Sequence, residues 1–381
     1  MATKTLSKQT FYRTDSKEKK SEIFHFGELF CGPGGLALGA ISAFAENTEA
    51  IFKLEHAWAN DYHQDTCKTY ARNICLDNPN SVLCQDVRSL DIKNLPHIDA
   101  FAYGFPCNDF SIIGERKGFQ GEFGPLYTYG LNIIDCFKPK FFLAENVGGI
   151  TTANDGKAFK KIFNDLESAG RGYELTVHLY KSEEYGVPQT RHRIIIVGIE
   201  KQFGLKFQVP APTTLNSHHT AKEALENPPI PPDAHNNEFT AQAKSVIERL
   251  KYILPGENVW TAKLPAHLRL NVKGAKLSQI YKRLNPDKPA YTLTGSGGGG
   301  THGYHWKENR ALTNRERARL QTFPDSFIFE GSKESVRRQI GMAVPPKLAK
   351  IVFTAILKTF AGIKYPTVPA NRGQQIIFLD F

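Results

Sequence analysis

Seven short apolar runs, most of them separated by stretches with helical periodicity, fill residues 23–199 and leave few folds open. The candidate strands are IFHFGELF (23–30), FKLEHAWAN (52–60), SVLCQDV (81–87), IDAFAYGF (98–105), KFFLAENV (140–147), YELTVHLY (173–180) and RIIIVGI (193–199). Helical patterns fall between most of them, as in LALGAISAFAEN (36–47) and KAFKKIFNDLESAG (157–170), where Gly170 suits a C-cap. Strand–helix alternation predicts an α/β architecture built on a doubly wound sheet. Such sheets bind ligands at the strand edges where loops gather.

After Val209 the texture changes. Prolines cluster in VPAPTT (209–214) and NPPIPPD (227–233) and break the alternation. A chain of 381 residues also exceeds what one compact core usually holds. The expected division is a basic arm over 1–22, a catalytic and cofactor-binding domain over 23–204, a smaller irregular domain over 205–303 and a C-terminal segment over 304–381. The tail from Ser335 to Phe360 is helical and apolar, and its helix is expected to return to the first domain.

The formal net charge of +10 creates a field that attracts nucleic acid, other polyanions or acidic membrane surfaces. Hydrophobic content of 41% and charged content of 23% describe a soluble globular chain. No apolar run is long enough to cross a bilayer, and the first residues lack the apolar region of a secretory signal, so a cytoplasmic location is expected. The six cysteines (31, 67, 75, 84, 107 and 136) form no CxxC pair, so neither a metal site nor a disulfide framework is expected.

FCGPGGLALG (30–39) follows the first strand and opens a helix, and its glycines at 32, 34 and 35 would let the backbone approach a ligand. Gly32, Gly34 and Ala37 also satisfy GxGxxA, so a dinucleotide site must be weighed. The second strand ends near Asp61 and Tyr62, a carboxylate that can accept from ribose hydroxyls and a ring that can stack on adenine. The third ends at Asp86, which can accept from an exocyclic amine. Singly, each acid reads as a solvated loop residue. A glycine turn, an acid and an acid at three consecutive strand ends point together to an adenosine-containing cofactor.

Cys107 stands in GFPCNDFS (104–111), in a Gly-flanked turn at the end of an apolar run. A lone cysteine is often a packing residue; this setting instead displays the thiol at a strand edge. Glu145 ends the run KFFLAENV and would reach the same edge. An unpaired carboxylate there is costly, and burial would raise its pKa. The competing reading is a structural carboxylate that caps a loop. In QTRHR (189–193), Arg191 and Arg193 alternate onto one face and could orient anionic or carbonyl groups; the competing reading is surface charge. SIIGERKGFQGEFGP (111–125) is glycine-rich and basic, and could hinge over a polyanion or be a solvated loop.

In this order, FCGPGG, GFPCNDFS, ENV, QTRHR, RLNPDKPAYTLTG (283–295) and QIGMAVP (339–345) resemble the DNA (cytosine-5)-methyltransferases, over about residues 24–355. ALTNRERARLQTFPDSF (311–327) is similar to the segment ahead of the last motif of that family. The resemblance implies a Rossmann-like fold of the S-adenosylmethionine-dependent type, with 205–303 as target-recognition domain. It implies S-adenosylmethionine as methyl donor, contacted by Phe30, Gly32, Gly34, Gly35, Asp61, Tyr62, Asp86 and Leu126. It assigns Cys107 as nucleophile, Glu145 as the residue facing the flipped base, and Arg191 and Arg193 as the QxRxR pair. Asn108 departs from the family's usual glutamine, and Met342 from its usual asparagine.

The expected reaction is methylation of cytosine C5 in a specific double-stranded DNA sequence, through a Cys107–C6 adduct and base flipping. A monomer is expected, with a restriction endonuclease as functional companion. Two other activities remain open: methylation of transfer RNA by the same chemistry, and a nicotinamide-dependent oxidoreductase using GxGxxA. The second leaves Cys107, Glu145 and QTRHR without a joint role. A catalytically dead DNA-binding module is a further alternative. Arg249, Lys251, Lys263, Arg269, Lys273 and Lys276 are candidate phosphate partners or solvated surface charges.

Overall fold

The computed structural model describes residues 19–105, 126–150, 156–271, 277–295 and 300–372. Along the chain come β1 (Lys20–Leu29), α1 (Gly35–Ile41), β2 (Phe44–Glu46), β3 (Ala50–Asp61), α2 (Gln64–Ile74), β4 (Val82–Cys84) and β5 (Ala100–Gly104). These are followed by α3 (Tyr127–Phe137), β6 (Phe141–Val147), α4 (Lys157–Ser168), β7 (Tyr173–Lys181), β8 (Gln189–Thr190) and β9 (His192–Glu200). The rest holds β10 (Val209–Pro210), α5 (Ala221–Glu226), α6 (Lys244–Leu250), β11 (Ala290–Tyr291), α7 (Asn314–Leu320), α8 (Lys333–Met342), α9 (Pro346–Phe360) and β12 (Thr367–Val368).

The main sheet runs β2-β3-β1-β5-β6-β9-β7, with β4 also paired to β3. Strands β3, β1, β5 and β6 are parallel, whereas β9 lies antiparallel to β6 and β7 antiparallel to β9. The parallel centre is the doubly wound part anticipated from the alternation; an antiparallel edge on such a sheet is common.

Both faces are buried, and the strands distribute their side chains accordingly. In β5, Ala100 and Ala102 face one core while Phe101 and Tyr103 face the other. The first core packs against α1 and α9, the second against α3 and α4. Small residues on the first face match a close helix pair: a Cβ on Gly39 of α1 would lie 2.4 Å from Ala349 Cβ of α9.

Two helices differ from expectation. The helix expected over 36–47 ends at Ile41, because Phe44–Glu46 returns as an antiparallel strand on β3. Asn47 makes that reversal, its Oδ1 accepting from the N–H groups of Glu49 (2.9 Å) and Ala50 (2.8 Å). The helical tail is two helices, α8 and α9, broken at Ala343–Pro345 with Pro346 as first residue of the second. The stretch Lys333–Phe360 is apolar and long enough for a bilayer, but 72% of its most apolar window is buried within the protein. α9 packs on the first core.

Residues beyond β9 form smaller cores. Ala221, Leu225, Leu284, Leu293 and Leu312 share one, and Leu250, Ile253, Val259, Leu264 and Tyr281 another. Phe207 and Val209, by contrast, sit in the first core, where β10 pairs with β12. β11 of the irregular part pairs in parallel with β8, at the start of QTRHR, as a separate two-stranded ladder just ahead of β9.

Candidate active site

The glycine turn is set by the end of β3 and by the α8–α9 break, and its glycines differ in what they meet. Phe30, Gly32 and Gly34 have φ of 52°, 54° and 95°, so the chain leaves β1 through left-handed positions. A Cβ on Gly32 would meet nothing within 4 Å, which leaves this position open to a ligand. At Gly35 it would lie 2.3 Å from the Val344 carbonyl oxygen, so this glycine serves the junction of α1 with the α8–α9 break.

Asp61, at the end of β3, organises the turn. Its Oδ2 accepts from the Gly32 N–H at 3.1 Å and its Oδ1 from the His63 N–H at 2.9 Å. Burial pushes the carboxyl up, and the His63 and Gly32 N–H groups oppose that shift. Tyr62 is 75% exposed, so its ring can stack on a ligand. Asp86 accepts from the Arg88 N–H (2.8 Å), Nε (2.9 Å) and Nη2 (2.6 Å), bonds that hold it at about 2 and so charged. Leu126, half-buried, immediately precedes α3 and packs on the second core. An open left-handed glycine, a carboxylate with lone pairs to spare and an exposed ring on adjacent strand ends fit an adenosine group.

The second half of the site lies at the same edge, two strands away. Gly104 of β5 and Glu145 of β6 are register partners, and a Cβ on Gly104 would lie 3.0 Å from Glu145 Oε2. Glu145 is 9% exposed, and Arg193 Nε sits 2.9 Å from its Oε1. Burial raises the Glu145 pKa, while the charges of Arg193 and then Arg191 pull against it. Arg191 is buried and donates from Nη2 to the Gly341 carbonyl at 2.9 Å. Its Nε and Nη1 find no partner among the described residues. Asn146 fixes the strand end, donating to the Phe105 carbonyl at 3.2 Å and accepting from the Val147 N–H at 2.8 Å. Cys107 and Asn108 lie outside the described residues, as does the 111–125 loop. The structure therefore groups Glu145, Arg191 and Arg193 on one edge, and Phe30, Gly32, Gly34, Gly35, Asp61 and Tyr62 around the turn.

Sequence reasoning passed over several residues that hold this edge together. Glu28, in β1, is 1% exposed and accepts from Tyr70 Oη at 3.2 Å; an acid inside an apolar strand was the available signal. Gln189 donates from Nε2 to Gln321 Oε1 (3.1 Å), and Gln321 donates to the carbonyls of Ile340 (2.8 Å) and Ala343 (2.6 Å). Met342 is 63% exposed, and the link from α8 to the turn runs through Ala343 and Val344 instead.

Residues 24–358 match the model of the C-5 cytosine-specific DNA methylases. The chain is 60% identical to the Type II methyltransferase M.BbvI of Brevibacillus brevis over 352 residues, covering 91% of this chain and 94% of that one. It is 39% identical to the Type II methyltransferase M.NgoFVII of Neisseria gonorrhoeae, covering 93% and 91%. Among solved structures, an Escherichia coli prophage-encoded protein assigned as a DNA modification methyltransferase shares the fold at a TM-score of 0.66. That pair is 24% identical, over 88% of this chain and 99% of the other.

Proposed function

The chain belongs to the C-5 cytosine-specific DNA methylase family and is a DNA (cytosine-5)-methyltransferase, and from that premise we propose that it methylates one cytosine in a specific duplex sequence through a Cys107 adduct on an extruded base. The buried Glu145–Arg193 pair beside Gly104 carries this reading. Gly104, the register partner of Glu145, stands three residues before Cys107 in the sequence.

C5 of cytosine is a weak nucleophile. Attack by the Cys107 thiolate forms an S–C6 bond and moves electron density to C5, which becomes enamine-like. Glu145, holding a proton, donates to ring N3 and accepts from the exocyclic amine as charge develops on the ring. Arg193 supports the O2 side. C5 takes the methyl group; solvent water then takes the C5 proton, the C–H electron pair restores the C5–C6 double bond, and Cys107 leaves as thiolate. S-adenosylmethionine, when bound, supplies the methyl as a sulfonium. Asp61 and Tyr62 would hold its ribose and adenine, Asp86 its exocyclic amine, and Phe30, Gly32, Gly34 and Gly35 its approach to the backbone, with Leu126 closing one side.

A base stacked in a duplex is out of reach, so flipping is required, at a cost of a few kcal/mol. Residues 205–303 are the natural reader of base edges, with lysines and arginines on phosphates. The relatives named as Type II methyltransferases support a restriction-modification role with a companion endonuclease. In this proposal the enzyme acts as a cytoplasmic monomer. Base-resolution sequencing for 5-methylcytosine, after expression in a host that lacks the modification, tests the proposal. One methylated sequence context is expected. Methyl incorporation into transfer RNA but not duplex DNA would overturn it.

A further inference from the structure

Two arginines and a histidine lie together where the irregular part meets α8. Arg317 of α7 is 3% exposed, and among the described residues it makes no salt bridge. Arg337 of α8 has a side chain only 14% exposed. Its Nη1 is hydrogen-bonded to His302 Nδ1, and its Nε has no partner among the described residues. Burial, then the charges of Arg337 and Arg317, push His302 down to about 4, so it sits neutral and accepts from Arg337. Burial and the Arg337 charge are among the causes that push Arg317 down to about 10.

The local carboxylates neutralise this cluster only in part. Glu316 is already engaged: it accepts from Arg310 Nη1 and Nη2, each at 2.8 Å, and from the Thr313 N–H at 2.7 Å. Glu334 approaches Arg337 only to 3.7 Å, with its side chain 72% exposed. Two guanidinium charges largely withdrawn from water, with one exposed carboxylate 3.7 Å from Arg337 as their loose counter-charge, are unfavourable in the free protein. A planar fork of donors half-buried beside a second cation is a typical cradle for an oxyanion.

The position of the cluster selects the anion. Arg337 and Gly341 are one helical turn apart on the same face of α8. Gly341 is packed so closely that its Cβ would lie 2.0 Å from Gly295 N, and its carbonyl holds Arg191. Arg191 in turn acts on Glu145. The cluster thus borders the edge that carries the base-facing carboxylate.

We propose that Arg337, seconded by Arg317 and oriented by His302, binds a backbone phosphodiester of the DNA substrate. This rests on the DNA-methylating function. Arg337 is the contact; Arg317 adds field from behind and His302 fixes the fork.

The test is Arg337→Gln in the full chain, with Arg337→Lys as control. Affinity for a duplex carrying the methylated sequence and for a scrambled duplex is followed across a salt series. Arg337→Gln is expected to weaken both duplexes alike, roughly 3- to 10-fold, and to make the slope of log K against log salt shallower by about 1. Arg337→Lys should keep the slope. Affinity for S-adenosylmethionine should not change. The free Arg337→Gln protein should melt no lower than wild type, because one of two neighbouring, largely buried positive charges has gone. An unchanged salt slope, a loss confined to S-adenosylmethionine, or a lowered melting temperature would each overturn the phosphate assignment. Wild-type protein that bound no DNA would instead remove the function on which it rests.

Discussion

Arg193 Nε lies 2.9 Å from Glu145 Oε1, and both side chains are almost withdrawn from water. Two opposed effects meet on this carboxyl. Burial favours the protonated acid, and the two guanidinium groups of Arg193 and Arg191 favour the anion; burial prevails, so the pKa is raised. Arg193 therefore tunes the Glu145 proton that, in the proposed mechanism, would face the base. Removing its charge by Arg193→Gln should move the Glu145 titration further up, as followed by carboxyl carbon NMR, and lower kcat. Glu145→Gln should lower kcat about 10²- to 10⁴-fold, the range of a lost general-acid contribution, while duplex binding persists. A Glu145 titration that stayed in place in Arg193→Gln would refute the coupling.

Cys107→Ser should abolish methyl transfer. A hydroxyl is far less ionised than a thiol near ~8.5, so C6 attack fails. DNA and S-adenosylmethionine should still bind, as read by anisotropy and calorimetry. The wild-type protein should form a covalent complex, resistant to denaturant, with duplex DNA carrying 5-fluorocytosine at the target, because fluorine cannot leave as the C5 proton does. Full turnover by Cys107→Ser would remove the covalent route.

The glycine turn separates packing from ligand approach. Gly35→Ala places a methyl 2.3 Å from the Val344 carbonyl oxygen, an overpacking clash expected to cost about 2–3 kcal/mol. Gly32→Ala meets no neighbour within 4 Å, and its φ of 54° adds only the left-handed strain of a residue with a side chain, about 1–2 kcal/mol. Thermal denaturation should show the larger loss for Gly35→Ala. Titration with S-adenosylmethionine should show at Gly32→Ala an affinity loss beyond what its stability change explains. If both variants lost stability equally and kept cofactor affinity, the assignment of Gly32 to the ligand would fall.

Much of this arrangement was legible in residue order, because strands buried on both faces read as apolar runs. KFFLAENV became β6 (Phe141–Val147), with Glu145 at its end, and YELTVHLY became β7 (Tyr173–Lys181). β2 was not legible: its three residues look like a helix end until Asn47 is seen turning the chain back. Nor were the partners of the motif side chains. Gln189 meets Gln321 across 132 residues, and Arg191 meets Gly341 across 150. Spacing along a chain carries periodicity, and such contacts are set only when β8, α7 and α8 converge in space.

Glu28 gives the fold a pH dependence of definite sign. It is 1% exposed inside β1, and its pKa is raised by burial, with the Tyr70 hydrogen bond opposing and the Asp61 charge adding. The folded protein therefore holds this proton at pH values where the unfolded chain, near ~4.3, has released it. The contribution of the group to stability is complete below the unfolded value. It is lost as pH rises through the folded one, at up to about 1.4 kcal/mol per pH unit. Glu28→Gln keeps the shape and a donor and acceptor beside Tyr70 but cannot ionise. Its melting temperature relative to wild type should climb as pH rises above the unfolded value, until Glu28 has ionised in the folded wild-type protein. Asp61 and Glu145 titrate in the same direction but are present in both proteins, so the difference isolates Glu28. Parallel melting curves from pH 4 upward would show that this carboxyl is charged in the folded state and that the burial argument is wrong.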